Sequence, residues 1–265
     1  MFFSTYFYFK LFVLDLKARK IELFKRKKLK KGSYMLIAVN CDFANKIEEL
    51  TGIKALSLKP YSKLDLPVSS HADMLLFNLE KTVFCYKDYF LENQQTLEAI
   101  KNAGYNLKFV SSLCSKEYPN DIALNVLKVG NRLVCNLKHT AKEIADLAKE
   151  LNYEIINVKQ GYSACSTAVI DENNVITSDI GIANALIEKG VNALLIDNSD
   201  IKLKGYSCGF IGGASLVYEN YFLLLGDINR LKDCEKIKIF TEKCNKKLIF
   251  VPNEHVTDFG GAKLF

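Results

Sequence analysis

The chain has 265 residues, of which 49% are hydrophobic and 25% are charged, close to the averages of soluble globular domains. A transmembrane helix needs about 18 consecutive apolar residues, and every apolar stretch here is interrupted sooner. The net charge is +6, but residues 1–33 contain ten Lys and Arg against two acidic residues, so they carry +8 and leave −2 for the remainder. The basic character is therefore that of a tail, and no specific nucleic-acid site is predicted.

Residues 1–34 are interpreted as a basic, aromatic-rich N-terminal extension that precedes a single domain of residues 35–265. The extension does not resemble a secretory signal, because its charge follows the apolar stretch and no small-residue cleavage site is present. An upstream start before Met35, or an extension packed on the surface, is favoured. Contact with an anionic membrane surface or with nucleic acid is the alternative. We predict a cytoplasmic protein.

A unit of hairpin, helix and strand is predicted to repeat along the chain, with a period of roughly 45 residues that falls in the range typical of repeat architectures. Residues 35–40, 44–52 and 54–58 supply a strand, a helix and a strand without a complete hairpin. Four full copies follow. Their hairpin, helix and strand are predicted at 73–85, 93–104 and 105–111; at 121–136, 140–151 and 153–158; at 166–179, 180–190 and 191–197; and at 213–227, 231–245 and 247–251.

The hairpins are recognised by apolar, strand-like runs on either side of polar turns. In the first, residues 75–77 and 82–84 are predicted as strands around a turn at 78–81. In the second, residues 122–126 and 132–136 are predicted as strands around a turn at 128–131. The unit that begins at residue 35 lacks an opening strand, which residues 259–265 would supply.

Pairing of residues 259–265 beside residues 35–40 would close the chain into a ring and remove exposed sheet edges. Five such units predict an α/β propeller of five modules around a central axis, closed by the C-terminal strand. The alternative is a three-layer α/β domain with one ordinary mixed sheet.

Eight cysteines are present, and none forms a Cys-x-x-Cys pair, so no zinc site of the usual spacing is predicted. Most lie in apolar strands or helices as small core residues. Cys165 differs, because it follows Gly161 and small residues at the junction between two modules. Such a junction offers the access that a thiolate nucleophile needs, and Lys159 would add positive charge. The alternative is a small residue that fills a turn.

His71 and Asp73 lie at an equivalent junction, two residues apart. In an extended segment, side chains at this spacing point to the same face. The carboxylate would then either orient the imidazole or bind a cationic substrate. A His-x-Asp pair that occurs by chance is the alternative.

Paired glycines at Gly212 and Gly213 enter the fourth hairpin, which suggests that the backbone passes close to a neighbour or a ligand. Neither this cluster nor the one at 260–261 matches a dinucleotide fingerprint or a P-loop, so nucleotide binding is not predicted. Several carboxylates at one level of the ring would suit a cationic ligand such as a guanidinium. These carboxylates belong to Asp73, Asp121, Asp227 and Asp258.

These segments resemble those of the pentein, or guanidino-modifying, superfamily, and most closely an uncharacterised bacterial branch of it. The superfamily includes arginine and agmatine deiminases, dimethylarginine dimethylaminohydrolase and amidinotransferases. Its nucleophile loop is similar to 165–167 after Gly161, and its His-x-Asp is similar to 71–73. Its Phe-Glu-Gly-Gly-Asp motif is similar to 210–214, except that Ile211 and Ala214 replace the two acids. The family's nucleophile usually lies near the C-terminus, whereas Cys165 is in mid-chain.

The resemblance implies a Cys-His-Asp site for a hydrolase or amidinotransferase that acts on a guanidine or amidine. Cys165 would attack the central carbon, His71 would transfer protons, and Asp73 would bind the cation or hold the imidazole. No metal or organic cofactor is implied. The superfamily also includes a ribosome anti-association factor, so a non-catalytic ring that serves as a docking surface is the alternative. The other candidate substrate-binding residues are Gln160, Asp227, Asp258, Gly212 and Gly213.

Overall fold

Five three-stranded sheets are present in the computed structural model, which describes residues 35–265. In each sheet the middle strand pairs antiparallel with one neighbour and parallel with the other. The strands are β1 Leu36–Asn40, β2 Lys54–Leu58, β3 Phe77–Leu79, β4 Thr82–Tyr86, β5 Asn106–Val110, β6 Leu127–Val129, β7 Arg132–Cys135, β8 Glu154–Asn157, β9 Thr167–Asp171, β10 Asn174–Thr177, β11 Asn192–Leu195, β12 Ser215–Tyr218, β13 Tyr221–Leu224, β14 Lys247–Phe250 and β15 Ala262–Leu264.

Helices connect the middle strand of each sheet to the parallel strand, and two further helical turns precede first strands. The α-helices are α1 Ala44–Thr51, α2 Ala72–Leu75, α3 Lys87–Glu92, α4 Gln94–Asn102, α5 Lys142–Glu150, α6 Ser163–Ser166, α7 Ile180–Ile187 and α8 Cys234–Lys243, and 3-10 helices span Leu66–Val68 and Ile228–Arg230.

The hairpins turn tightly, because two residues separate their paired strands. Val129 pairs with Arg132 across Gly130 and Asn131, and Gly130 has a φ of +56°. A positive φ at the first turn residue matches the twist of the two strands, which favours such two-residue turns. The connecting helices then bury one apolar stripe; in α5, for example, Ile144 and Ala148 are buried.

The two ends of residues 35–265 complete one module. β1 pairs parallel with β2 and antiparallel with β15, with Ile37 opposite Leu264. The predicted closure by the C-terminal strand is therefore confirmed. We refer to this as the closing module, and to the sheets that begin with β3, β6, β9 and β12 as the first to fourth modules.

The first strands of the modules line a common axis. β9 contacts both β6 and β12, and β15 contacts β12 and α2. Apolar side chains fill the space between neighbouring sheets; one buried cluster, for example, joins residues of the closing, first, second and third modules. The predicted α/β propeller of five modules is confirmed, and the alternative of one mixed sheet is wrong because no described sheet has more than three strands.

Two first strands begin later than predicted. β3 begins at Phe77, because Ala72–Leu75 forms a helical turn in which Leu76 N–H donates to the carbonyl of Ala72. β6 begins at Leu127, because the segment before it folds into a turn. Sequence analysis also missed α3. These differences matter for the site, since the segments before the first strands meet at the axis.

The predictions for the extension of residues 1–34 lie outside the described residues. Within residues 35–265, no helix combines the length and the apolar character needed to cross a membrane.

Candidate active site

The segments that precede the first strands converge at the centre of the ring and hydrogen-bond to one another. Asp73 N–H donates to the carbonyl of Gly260 at 3.1 Å, and Gly261 N–H donates to that of Gly213 at 2.9 Å. Gly213 N–H in turn donates to the carbonyl of Cys165 at 2.9 Å. Backbone contacts therefore fix the relative positions of the side chains that these segments carry.

Cys165 lies in the helical turn α6 and is only 4% exposed. The Nδ2 of Asn125 donates to its sulfur at 3.0 Å, while the Oδ1 of Asn125 accepts from Ala164 N–H at 2.8 Å. Burial raises the pKa of the thiol well above its usual range, and the carboxyls of Asp73 and Asp258 raise it further. The Asn125 amide and the Lys263 ammonium act in the opposite direction. The thiol is thus protonated at neutral pH in the ligand-free protein.

His71 and Asp258 face each other in the same buried region. The His71 Nδ1 lies 3.9 Å from the Asp258 Oδ1, which is too long for a hydrogen bond. Both oxygens of Asp258 accept from backbone amides, Oδ1 from Gly260 at 2.9 Å and Oδ2 from Phe210 at 2.8 Å. The carboxyl is therefore held firmly beside the imidazole.

Burial shifts the pKa values of this pair in opposite directions. It lowers the pKa of His71 to about 4. The pKa of Asp258 is raised to about 7, because burial and the nearby Asp73 outweigh the two amide hydrogen bonds. Between about pH 4 and pH 7 the pair holds one proton, and that proton lies mainly on the Asp258 carboxyl.

Asp73 and Lys263 form a buried ion pair at the axis. Lys263 Nζ donates to Asp73 Oδ1 at 2.6 Å, and the two side chains, Lys263 and Asp73, are 13% and 7% exposed, respectively. Both residues line a cavity of about 240 Å³. Residues from the first strands of all five modules also line this cavity, so it lies on the axis of the ring; they are Phe77, Leu127, Ala168, Leu216 and Leu264.

The axial cavity reaches the edge of the group formed by Cys165, His71, Asp73 and Asp258, which we call the central cluster. Ala164 and Asp73 line it, whereas Cys165 and His71 are not among the described residues that do so. Beside Cys165, Tyr162 packs its ring against Phe210 at 6.2 Å and donates its hydroxyl to Asp121 at 2.7 Å. Among residues 35–265, no three His, Cys, Asp or Glu side chains form a group that could hold a metal ion.

The structure brings together four of the predicted site residues: Cys165, His71, Asp73 and Asp258. Gly212 and Gly213 lie against this cluster, since a Cβ at Gly212 would lie 2.3 Å from the carbonyl oxygen of Ala164 and one at Gly213 only 2.0 Å from Asp258 Oδ1. The paired glycines thus let one segment pass directly over its neighbours.

Gln160 and Asp227 make their contacts elsewhere. Gln160 donates to Asp179, which caps α7, and accepts from Tyr162 N–H. The carboxylate of Asp227 accepts from the backbone amides of Asn229 and Asn253. Each of these polar side chains fixes a local turn.

Sequence analysis missed Asn125 and Lys263. Asn125 lies two residues before β6, as Cys165 lies two residues before β9, so alignment of the modules on their first strands would have found it. Lys263 is a cation between two apolar residues of the closing strand, close to the paired glycines at 260–261. Both signals depend on knowing where the first strands begin.

The match to a family model decides which family the chain belongs to. The model of the family described as "Family of unknown function (DUF6873)" matches residues 37–262. The chain belongs to this family. No curated protein sequence matches the chain.

Several solved structures have the same fold as this DUF6873 member. DDAH from Pseudomonas aeruginosa in complex with citrulline superimposes with a TM-score of 0.54 at 7% identity, over 87% of this chain and 97% of that one. Agmatine deiminase from C. jejuni gives 0.53 at 11% identity, with coverages of 88% and 93%. Inosamine-phosphate amidinotransferase from Streptomyces griseus gives 0.51 at 15% identity, with coverages of 83% and 75%. The expected pentein fold is confirmed.

The buried His71–Asp258 pair predicts how stability depends on pH. In the unfolded chain the ordinary pKa values are 6.5 for His71 and 3.8 for Asp258, so the pair again holds one proton between about pH 4 and 6.5. Because the folded and unfolded states bind the same number of protons, the contribution of the pair to wild-type stability hardly changes with pH in this range. His71→Gln removes the titrating imidazole. Folded Asp258 then keeps a proton that the unfolded chain releases, so stability falls as pH rises, by up to about 1.4 kcal/mol per pH unit.

The measurement is urea unfolding of wild type and His71→Gln at pH 4.5, 5.5 and 6.5. The difference between the two proteins is the relevant quantity, because the contributions of all other groups cancel in it. A difference that does not change with pH would contradict the assigned protonation of the pair.

Proposed function

We propose that this protein is a thiol-dependent enzyme that acts on a small guanidine or amidine, as a hydrolase or amidinotransferase, through Cys165, His71 and Asp73. One observation carries the proposal. Five ionisable side chains are gathered at the centre of a ring whose other buried contacts are mainly apolar; they are Cys165, His71, Asp73, Asp258 and Lys263.

The cost of burying these groups supports a functional role. Charged and polar side chains lose hydration when they are buried, and an apolar core of similar volume is often at least as stable. Stability alone therefore gives no reason to place two carboxylates, an ammonium, an imidazole and a thiol side by side. Structures with the same fold are those of small-molecule hydrolases and amidinotransferases, which supports the same general kind of chemistry.

The proposed reaction begins when a cationic substrate displaces Lys263 from Asp73. Its positive charge beside Cys165 lowers the pKa of the thiol, which burial otherwise raises. The thiol proton passes through His71 to the departing amine as sulfur bonds to the guanidine carbon and the carbon–nitrogen bond breaks. Water, or a second amine in a transferase, then attacks the thiouronium carbon and releases the thiol.

Asp258 serves in this proposal to set the electrostatic environment of His71, because two backbone amides hold its carboxyl 3.9 Å from the imidazole. Asp73 is the carboxylate that grips the cation. Gln160 and Asp227, which the sequence suggested for substrate binding, would act only through the turns that they fix.

A non-catalytic ring that binds a partner is the second candidate. A specific observation favours it: Asp73 is already paired with Lys263, and Ile211 and Ala214 are fully buried apolar residues where the family motif has acids. In this case the central cluster would be a fixed, closed structure.

Alkylation by 2-chloroacetamidine distinguishes the two candidates. The reagent carries an amidinium, and neutral 2-chloroacetamide is the matched control for its charge. An enzyme site predicts labelling of Cys165 in preference to the other seven cysteines, with a preference for the amidine that falls about tenfold or more in Asp73→Asn. The rates are measured by mass spectrometry across pH, and labelling of Cys165 should be lost in His71→Ala.

Slow labelling with no preference for Cys165 or for the amidine would contradict the enzyme proposal. The docking ring would then be the better description, since a closed cluster has no reason to recognise a small cation.

A further inference from the structure

The side-chain amide of Asn125 lies against the sulfur of Cys165, and backbone contacts fix which of its two ends faces that sulfur. Its Oδ1 accepts from the N–H groups of Ala164 at 2.8 Å and of Cys165 at 3.4 Å. Two donors on that side require an acceptor there, so the NH2 group faces the other way, toward Cys165 Sγ at 3.0 Å. The amide therefore cannot turn its oxygen to the sulfur without losing both backbone contacts.

The backbone that carries Asn125 is also held in place. Asn125 N–H donates to the carbonyl of Ile122 at 2.9 Å, and the residue is only 1% exposed. Ala141 N–H, just before α5, donates to the carbonyl of Ala123 at 2.9 Å and so ties the same turn to its own module. A donor that is fixed in this way needs no reorganisation when charge develops beside it, which is the condition for effective electrostatic stabilisation in a reaction.

The acceptors that the NH2 group meets among the described residues are both sulfur atoms. Besides Cys165 Sγ, it donates to Met74 Sδ at 3.2 Å, and all three side chains are buried. A thiol and a thioether are weak acceptors, so the donor is poorly used in the resting protein. Hydrogen bonds to an ionised group are roughly twice as strong as those between neutral groups. The amide thus favours the thiolate of Cys165 over its thiol.

The two carboxyls near the sulfur have the opposite effect. Burial, and then Asp73 and Asp258, raise the pKa of the Cys165 thiol. The amide of Asn125 and the ammonium of Lys263 lower it. Lys263 is the group that a cationic substrate would displace, whereas the amide is held by backbone contacts that a substrate does not touch. Asn125 is therefore the stabilising group that stays in position throughout the proposed reaction.

We propose that Asn125 is a further catalytic residue beside the central cluster, whose amide holds Cys165 Sγ in place and stabilises the thiolate as it attacks. This inference rests on the proposed function, in which Cys165 is the nucleophile. The amide gives up no proton itself. The thiol proton leaves through His71 to the departing amine, and the sulfur electron pair forms the bond to the guanidine carbon.

Two substitutions of similar size at Asn125 test the inference through the rate at which neutral 2-chloroacetamide alkylates Cys165 in the full chain. Asn125→Leu removes the donor, so the thiolate fraction at a given pH should fall about tenfold. Because a more basic thiolate is also more nucleophilic, the rate should fall about threefold. Asn125→Asp keeps the oxygen that accepts from Ala164 N–H but replaces the donor by an acidic oxygen, and it should lower the rate at least as much.

The rates are measured by mass spectrometry between pH 8 and 10, with urea unfolding of each variant as a check on folding. Ser163→Ala is the matched control, because its hydroxyl donates to the carbonyl of Gln160 at 3.1 Å within the same helical turn as Cys165. It should leave the rate unchanged. If Asn125→Leu does not fold, Asn125→Asp gives the answer, since it retains the contact to α6.

Three results would overturn the inference: no labelling of wild-type Cys165 up to pH 10, rates in both Asn125 variants at or above the wild-type rate, or an equal fall in Ser163→Ala. The reagent is uncharged, so these rates do not depend on the amidine preference that tests the enzyme proposal. A slower Asn125→Leu without that preference would reject the substrate class and keep the effect of the amide. The amidine preference with unaffected Asn125 variants would do the reverse.

Discussion

Replacement of Gly260 by alanine is expected to lower the free energy of unfolding by about 4 kcal/mol or more, which is large for a single substitution. Gly260 has a φ of +83°, and a Cβ built there would lie 2.3 Å from the Cα of His71. Because that neighbour is backbone, it cannot move aside without displacing the segment that carries His71 and Asp73. Urea unfolding at 25 °C measures the change.

Gly190→Ala is the control for this experiment. Gly190 has a similar φ of +78°, but a Cβ there would meet nothing within 4 Å. This substitution should therefore cost only the strain of the left-handed backbone, about 1–2 kcal/mol. Equal losses in the two variants would mean that backbone strain, and not the close approach at the axis, makes Gly260 necessary.

Lys263→Met is expected to cost about 3–5 kcal/mol of unfolding free energy, because it leaves the buried carboxylate of Asp73 without its partner. Methionine keeps a similar length and fills the same space, so loss of packing is a small part of the effect. Unfolding in urea at pH 7 gives the magnitude.

The double variant Asp73→Asn/Lys263→Met should regain most of this loss, since it buries no uncompensated charge. Lys142→Met provides a surface comparison: it breaks an ion pair with Asp146 whose side chains are 84% and 51% exposed, and it should leave the free energy of unfolding almost unchanged because water screens the pair. If Lys263→Met were as mild as Lys142→Met, the central ion pair would have to be open to water.

The repeated modules could be predicted from the sequence because each contains two independent signals. Apolar alternation with a polar turn marks the hairpin, as at 167–177, and amphipathic spacing marks the helix that follows, as at 142–150. The closing strand had only three paired residues, 262–264, and became predictable because the closing module lacked one strand.

The central cluster was only partly predictable. Cys165, His71, Asp73 and Asp258 stood out because they are reactive or charged residues at module junctions, where small or apolar residues would be enough for packing. Gln160 and Asp227 shared that sequence context, yet each side chain satisfies backbone or capping groups nearby. The outcome depends on which hydrogen-bonding groups the fold places within reach of each side chain, and the residue pattern alone does not contain that information.

Asn125 shows the same limit from the other direction. Residues 122–126 are as apolar and strand-like as the true strands, but their backbone turns at the axis, where the Asn125 amide bridges Cys165 and Ala164. Tertiary contacts with a segment 40 residues later override the local preference.

The pairing of β1 with β15 has a consequence for synthesis on the ribosome. Leu36 and Phe265 exchange two backbone hydrogen bonds of 2.9 Å, so β1 is matched by a strand that is translated only after all four full modules. Until then β1 has an open edge, which is a template for pairing with other chains. The emergence of β15, rather than of any earlier module, is the event that removes this hazard.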